Sequence, residues 1–421
     1  MLLSHPCKRH SKRFFGRHFT QSATQAYQDY YLARTFNGNG VTYSTVTSTT
    51  RLTWPLFAFL IDTNLLRLHL EKSKHLVGAR SSRGTRAENE DRFRFVTLEL
   101  PEGDALRTMK RDSNRAYFGI FDGHGGPVVS DWLAERLQEK IETVSLDDLP
   151  NILSALRAYR GYFRRFPIPR VLRDLVDDSG QPLSTVRTDL SVEQRLTLGF
   201  LQADTECLQY LRNENNDPHQ ANEGSTGSVA ILEPHDDKPF WESETYDIIV
   251  GHVGDTRILL CDANSGEAMP LTSGDHHPGN PLEHERLRKY AGFVTTDSWG
   301  DDRIMGMLAT SRAFGDSKLK RYGVSAEPDV IRHTITKDNP AAFMVLVTDG
   351  ITSIMSDQEV VDFVKEKKDP TSSVLRLVDA ADQLHSEDNV TAVVVRLKDW
   401  GARMHDYTQD LRKYRLANSI K

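Results

Sequence analysis

An antiparallel sheet with acidic residues along one rim is the fold the sequence predicts, and three observations predict it. Apolar runs rich in aromatic and β-branched residues recur at Ala116 to Phe121, Tyr246 to Val253, Phe343 to Thr348 and Val390 to Leu397. The first three run into an aspartate beside a glycine, at Asp122-Gly123, Gly254-Asp255 and Asp349-Gly350, and the fourth follows Glu387-Asp388-Asn389. Strand-forming composition bounded by turn residues marks buried strands. In an antiparallel sheet the end of one strand and the start of its neighbour share a rim. Aspartates after some strands and before another can therefore converge.

Composition bounds the alternatives. The chain has 421 residues, 38% hydrophobic and 27% charged, with a formal net charge of −6. That is a globular composition, long enough for one large domain with appendages. It lacks the basic surplus of a nucleic-acid binder. Cys7, Cys207 and Cys261 lie far apart with no CxxC spacing, which argues against a disulfide framework or zinc site and fits a reducing compartment. The best membrane candidate, Trp54 to Ile61, is eight residues closed by Asp62, against about 20 needed to span a bilayer. No transmembrane segment is expected.

In chain order, Met1 to Gln28 contains no Asp or Glu but carries Lys8, Arg9, Lys12, Arg13 and Arg17 among hydroxyl, amide and phenylalanine side chains. An acid-poor, arginine-containing leader of this kind reads as a mitochondrial transit peptide, drawn inward by a negative membrane potential. This expectation is a mitochondrial matrix protein; the alternative is a cytoplasmic one with a basic tail. Asn37 to Thr50, rich in Ser, Thr, Gly and Asn, reads as a linker, so residues 1–50 form leader and linker. Trp54 to Leu70 reads as a helix in an N-terminal extension, 51–75, with the main domain starting near His75.

The carboxylates then define the chemistry. An isolated Asp-Gly is a turn. Clustered carboxylates repel one another and resist desolvation unless cations neutralise them. Hard oxygen ligands favour Mg²⁺ or Mn²⁺ retaining several waters.

Arg83 to Phe93 (RGTRAENEDRF), Phe118 to Gly126 (FGIFDGHGG), Gly224 to Val229 (GSTGSV), Val253 to Arg257 (VGDTR), Leu271 to Val294, Leu308 to Asp316 (LATSRAFGD), Val347 to Gly350 (VTDG) and Glu387 to Thr391 (EDNVT) stand in that order. The sequence resembles the PPM, or type 2C, metal-dependent protein serine/threonine phosphatases over roughly Leu76 to Leu397. The resemblance implies an α+β, four-layer α-β-β-α sandwich with two central antiparallel β-sheets flanked by helices. It implies a domain over 76–398 holding two Mg²⁺ or Mn²⁺ ions at one rim, with a weaker third position.

Asp122 then resembles the carboxylate bridging both ions, with the Gly123 carbonyl a further ligand and Asp349 and Asp388 completing the first ion's set. Glu90 and Asp91 resemble the pair that holds metal-bound waters. Asp255, helped by Asp349, resembles the third-ion position, and Asn389 supports the same shell. By the same resemblance Arg86 grips phosphate oxygens through its planar fork, Arg303 lies by the substrate cleft, and His124 is the general acid for the departing serine or threonine oxygen. The implied reaction is direct attack on phosphorus by a hydroxide bridging the two ions. Phosphorylated proteins are the implied substrates, and nucleic acid is not.

Departures from the family pattern are Thr352-Ser353 after the Asp-Gly, Ala291-Gly292-Phe293 in place of a Gly-Gly pair, and His277 in place of a lysine. They put substrate preference, not catalysis, in question. Residues 144–200 read as an inserted basic helical segment, with six arginines between Ala155 and Arg173. It reads as a solvated helix face over the sheet, or as a dock for an acidic partner or membrane surface. Residues 274–321 read as a flap and 399–421 as a tail with a short charged helix. The competing readings are a phosphatase-like binding module that has lost its metals and a two-metal esterase for nucleic acid or small phosphates. The presence of Asp122, Asp349 and Asp388 speaks against the first, and the lack of a basic–aromatic platform against the second.

Overall fold

Apolar side chains dominate the central strands because these are covered on both faces. The computed structural model describes strands at 30–37, 40–45 and 65–68, and residues 70–419 apart from 99, 101–114, 159–167, 178–182, 184–189, 215–222, 237, 291–292, 299, 301 and 402–403. The leader, residues 1–28, lies outside the described residues.

In chain order the strands begin with β1 (Tyr30–Asn37), β2 (Gly40–Thr45), β3 (Leu65–Leu68), β4 (Val77–Ser82), β5 (Arg92–Leu98) and β6 (Arg115–Phe121). Next come β7 (Gly123–His124), β8 (Gly224–Ser225), β9 (Gly227–Pro234), β10 (Tyr246–Val253), β11 (Arg257–Asp262) and β12 (Ala268–Pro270). The last are β13 (Val294–Thr296), β14 (Asp302–Ile304), β15 (Phe314–Gly315), β16 (Asp329–Ile335), β17 (Ala341–Val347) and β18 (Val390–Arg396). The helices used below are α1 (Val128–Thr143), α2 (Leu149–Ala158), α3 (Val192–Glu214), α4 (Pro281–Arg288), α5 (Asp349–Thr352), α6 (Asp357–Lys365), α7 (Pro370–Gln383) and α8 (Gln409–Asn418).

Two five-stranded sheets, ordered β16-β10-β9-β6-β5 and β12-β11-β17-β18-β4, form the centre, and their pairings are antiparallel. The period-two alternation of strands sorts each strand between two cores. On β6, Phe118 and Ile120 enter the core between the sheets, with Val250 of β10, Leu346 of β17 and Val393 of β18. Their neighbours Tyr117 and Phe121 face outward onto Leu133 of α1 and Phe200 of α3. Likewise Phe343 and Val345 of β17 face Val360 of α6 and Leu377 of α7. Helix, sheet, sheet, helix is the four-layer sandwich expected.

Three expectations outside the sandwich are corrected. Within the expected linker, Gly40–Thr45 is a strand paired antiparallel with β1. Within the expected helix Trp54 to Leu70, Leu65–Leu68 is a strand pairing with β1, a case where a short leucine run carries no usable period; residues 54–64 lie outside the described residues. The segment Ala155 to Arg173 is not one helix: α2 ends at Ala158 and a 3₁₀ turn, Arg170–Leu175, follows Pro169, since proline interrupts helical hydrogen bonding. The described part of this insertion carries its own apolar cluster, including Leu149, Leu153, Leu156 and Leu172 against Leu198 and Leu201 of α3. The C-terminal residues form the expected charged helix, α8, docked through buried Arg412 onto Glu366 and through half-buried Arg415 onto Glu359.

Candidate active site

Strand register brings the acidic residues to one rim. Arg92 sits opposite Phe121, so Asp91 and Asp122, each one residue further, emerge together. Arg257 sits opposite Val347, placing Asp255 just before one strand and Asp349 just after its neighbour. Val390 pairs with Ser82 of β4, so Asp388 meets the loop that carries Arg86 and Glu90.

Backbone and side-chain knots hold these ends. Asn389 accepts a hydrogen bond from the Glu90 N–H (2.8 Å) and donates to the carbonyls of Arg83 and Glu88 (2.9 Å each), so one amide shapes the whole 83–90 loop. The Asp122 carbonyl accepts from the Thr226 N–H (2.8 Å) and the Ser225 hydroxyl (2.9 Å). The Thr348 hydroxyl donates to Asp91 Oδ2 at 2.9 Å while accepting from the Thr391 N–H at 3.0 Å. Gly350 is required by close approach: a Cβ there would stand 1.9 Å from the Asn389 carbonyl oxygen. The Asp-Gly at this rim is therefore packing as well as turning.

Crowding dominates the electrostatics. Burial, then the neighbouring Asp91, Asp349 and Asp255, push the Asp122 carboxyl well above its usual range. Burial pushes Asp91 up to about 7 against the hydrogen bonds from Thr391 and Thr348, with Asp349 and Asp388 adding to the rise. Asp255 reaches about 7 through burial and Asp349, and Asp349 rises through burial and Asp388. Glu90 rises through burial despite His124 and Arg86 nearby. Asp122, Asp255, Asp349, Asp388, Asp91 and Glu90 thus gather at one rim, Asp91 and Asp255 buried and the others half-buried.

Divalent cations fit this group. Its donors are hard oxygens, and Asp91 Oδ1 is buried without a hydrogen-bond partner, a position a metal-held water would satisfy. Among the described residues no set of three or more His, Cys, Asp or Glu side chains is gathered tightly enough to hold an ion unaided. Mg²⁺ does not demand such a set, since it keeps several waters and uses one or two carboxylates.

Around the acids stand the other expected residues. Arg86 is over half exposed and donates to Asp388 Oδ2 at 2.7 Å and to the Glu387 carbonyl at 3.3 Å. His124 on β7 is partly exposed, and its Nε2 donates to Asp316 Oδ2 at 2.8 Å. Burial alone would lower the imidazole pKa, but the charge and hydrogen bond of Asp316 prevail and raise it. Arg303, on β14, is engaged within its own hairpin, with Asp297 at 2.6 Å. Its local role here is an ion pair.

Two features escaped the sequence. Asp316 closes the LATSRAFGD motif, yet nothing in that string shows that it meets His124, 192 positions away. The second is a buried ion network under the flap. Glu283 accepts from Arg286 and Arg312 at 2.7 Å each, Arg312 reaches Asp329 at 2.7 Å, and His276 reaches Asp329 at 3.2 Å. His276 Nδ1 accepts from the Gly254 N–H at 3.0 Å, which ties the network to the turn carrying Asp255.

An antiparallel α+β sandwich with a rim of carboxylates, a histidine and an arginine defines a metal-dependent phosphoester hydrolase. A family model described as "Protein phosphatase 2C" matches residues 170–390. Protein phosphatase 2C homolog 4 of Schizosaccharomyces pombe is 36% identical over 351 residues, covering 82% of this chain and 87% of that protein. "Protein phosphatase 1K, mitochondrial" of Xenopus laevis is 30% identical over 334 residues, covering 79% and 70%. The crystal structure of a Toxoplasma gondii serine-threonine phosphatase 2C superposes with a TM-score of 0.52 at 24% identity, over 76% of this chain and 94% of that one. The chain belongs to the protein phosphatase 2C family, the Mg²⁺- or Mn²⁺-dependent serine/threonine protein phosphatases, which act on phosphoproteins. Among the described residues no helix is long and apolar enough to cross a membrane.

Proposed function

We propose that this phosphatase hydrolyses phosphoserine and phosphothreonine with two ions bound at the rim, in mitochondria. The observation that carries the reading is the strand register that brings Asp122 and Asp91, and Asp255 and Asp349, to one rim, where burial and mutual repulsion push the Asp122 carboxyl up and cations would relieve the crowding. When bound, the ions would supply positive charge against the phosphate and make a water acidic enough to attack at neutral pH. The chain's residues do the rest. Asp122, the Gly123 carbonyl, Asp349 and Asp388 would hold the ions, Glu90 and Asp91 would orient retained waters, and Asp255 would serve a weaker third ion. Asn389 keeps Glu90 and the arginine loop in place. Arg86, over half exposed, grips phosphate oxygens, and His124 delivers the proton that the departing oxygen needs. Arg303 would meet the substrate from the flap on release from Asp297.

The catalytic domain spans 76–398, with the insertion at 144–200, the flap at 274–321, the extension at 51–75 and the tail at 399–421. The acid-poor leader supports the mitochondrial address, as does one relative bearing that word in its name.

Phosphate release from phosphoserine and phosphothreonine peptides, with Mn²⁺, Mg²⁺ or neither, tests the activity. Turnover should require metal and vanish in Asp349→Ala; metal-free turnover, or none from the wild type under any condition, would sink the reading. Residues 1–50 fused to a fluorescent reporter test the address, and cytosolic fluorescence would refute it.

A further inference from the structure

We propose that Asp316 is the positioning residue for His124, holding the ring by Nε2 and leaving Nδ1 as the nitrogen that meets the substrate. This rests on the reading of His124 as the proton donor. A carboxylate can only accept, so the 2.8 Å contact between Asp316 Oδ2 and His124 Nε2 fixes the proton on Nε2. It leaves the other ring edge for chemistry. Asp316 is 3% exposed while the His124 side chain is 30% exposed: one partner is fixed in the protein, the other reaches solvent.

The loop that carries Asp316 is held from both sides. The Asp316 N–H donates to the Glu223 carbonyl at 3.0 Å, and the Gly315 N–H donates to Asp204 Oδ1 at 2.9 Å. Asp204 is bridged to Lys320 at 2.8 Å, both side chains being fully buried, and Lys320 donates onward to the Ala313 carbonyl at 2.8 Å. Asp316 itself takes φ +48, a left-handed conformation that aspartate tolerates better than most residues. A buried ion pair therefore fixes the backbone on either side of this one carboxylate.

Gly224 supplies the third piece. A Cβ on Gly224 would lie 2.2 Å from Asp316 Oδ2 and 2.4 Å from His124 Nε2. The hydrogen-bonded pair rests on that glycine's bare Cα, and no other residue would leave it room. In the reaction the attacking water's oxygen bonds to phosphorus as the phosphorus–ester oxygen bond breaks, and that bond's electron pair stays on the serine or threonine oxygen. That oxygen takes the Nδ1 proton of the imidazolium, while Nε2–H stays bonded to Asp316.

The test compares full-length wild type with Asp316→Ala, Asp316→Asn, Gly224→Ala, His124→Ala and the Asp316→Ala/His124→Ala double variant under saturating Mn²⁺. Each is assayed on a phosphothreonine peptide, whose leaving oxygen needs a proton, and on p-nitrophenyl phosphate, whose leaving group does not. Asp316→Ala should lower kcat on the peptide about 10- to 100-fold, several-fold more than on the aryl ester, with KM little changed. Asp316→Asn still accepts from Nε2–H and should recover most of that loss. Gly224→Ala should reproduce the substrate-selective defect, and the double variant should be no slower than His124→Ala. Equal losses on both substrates, or additive losses in the double variant, would overturn the proposal, because a merely structural role does not depend on the leaving group. If Asp316→Ala does not fold, the Asp316→Asn and Gly224→Ala pair decides by the same ratio. A His124→Ala variant equally impaired on both substrates would instead remove the proton-donor reading beneath it.

Discussion

Replacing Glu283 by alanine should loosen the flap from the sandwich. Glu283 is 3% exposed, and its carboxylate accepts from Arg286 at 3.0 and 2.7 Å, from Arg312 at 3.1 and 2.7 Å, and from the Ser311 hydroxyl. Arg312 carries the connection to Asp329 at the start of β16, and Arg286 to the Gly323 carbonyl. Without the carboxylate, two desolvated guanidinium groups face each other. Removing one partner of a buried ion pair costs about 3–5 kcal/mol. At about 2 °C per kcal/mol for a domain of this size, Tm should fall by roughly 6–10 °C.

The same pair gives a pH signature. Burial alone would raise the Glu283 carboxyl, but the charges of Arg286 and Arg312 overcome it and hold the group far below its ordinary 4.5. The unfolded chain then binds this proton more readily than the folded one. The contribution is complete above about pH 4.5 and is lost as pH falls toward the folded value. Melting followed by circular dichroism at neutral pH and at successively lower pH should show a shallower acid decline in Glu283→Ala than in wild type. Limited proteolysis should cut the variant faster within 274–321. A Tm within about 2 °C of wild type, with an unaltered acid slope, would refute the assignment of the network as the flap's anchor.

Three further outcomes follow from named contacts. Gly350→Ala drives a Cβ into the Asn389 carbonyl and should weaken Mn²⁺ binding about tenfold or more by calorimetry, with far-UV circular dichroism unchanged. Saturating Mn²⁺, at about 100 times Kd, should stabilise the wild type by about 2.7 kcal/mol; chelation should reverse the gain, and Asp349→Ala should abolish it. Arg412→Ala should lower Tm by several degrees, because its buried guanidinium pairs with Asp406 and Glu366 at 2.9 Å. Lys413→Ala, one residue along but exposed and paired at 3.8 Å, should change Tm by less than about 1 °C.

What the sequence disclosed and what it withheld divide by range. Strands β6, β10, β17 and β18 were legible because a strand covered on both faces is predominantly apolar, and their acidic ends because an Asp beside Gly or Asn interrupts that pattern. Asn389 could be placed in the supporting shell, although its three hydrogen bonds to the 83–90 loop come from across the sheet. Asp316, Glu283 and Arg312 carry no local mark, since a buried charge looks like a surface one until its partner is known. Arg412 and Lys413 make the point at adjacent positions: both read as tail charges, and only packing of α8 against α6 separates them. Gly40–Thr45 is composed like a linker and becomes a strand only through pairing with β1. The arginine-rich stretch after Ala155 reads as a basic helix face until Pro169 is given its due.

The scaffold around the rim answers a specific physical problem. Carboxylates gathered at one rim would relax apart if their backbones were free, and a relaxed set would attract divalent cations less. Here each is attached where movement is most restricted: at the end of a doubly covered strand, on a loop tied by Asn389, or on a turn pressed against Gly350. Repulsion cannot be relieved by displacement, so burial and neighbouring charge hold Asp91 and Asp255 near 7. Taking up protons is one route to lower energy, and the arrival of cations is the other. The rigidity of the strand ends and the strain among the acids are therefore one device, and weakening the first should cost metal affinity before it costs the fold.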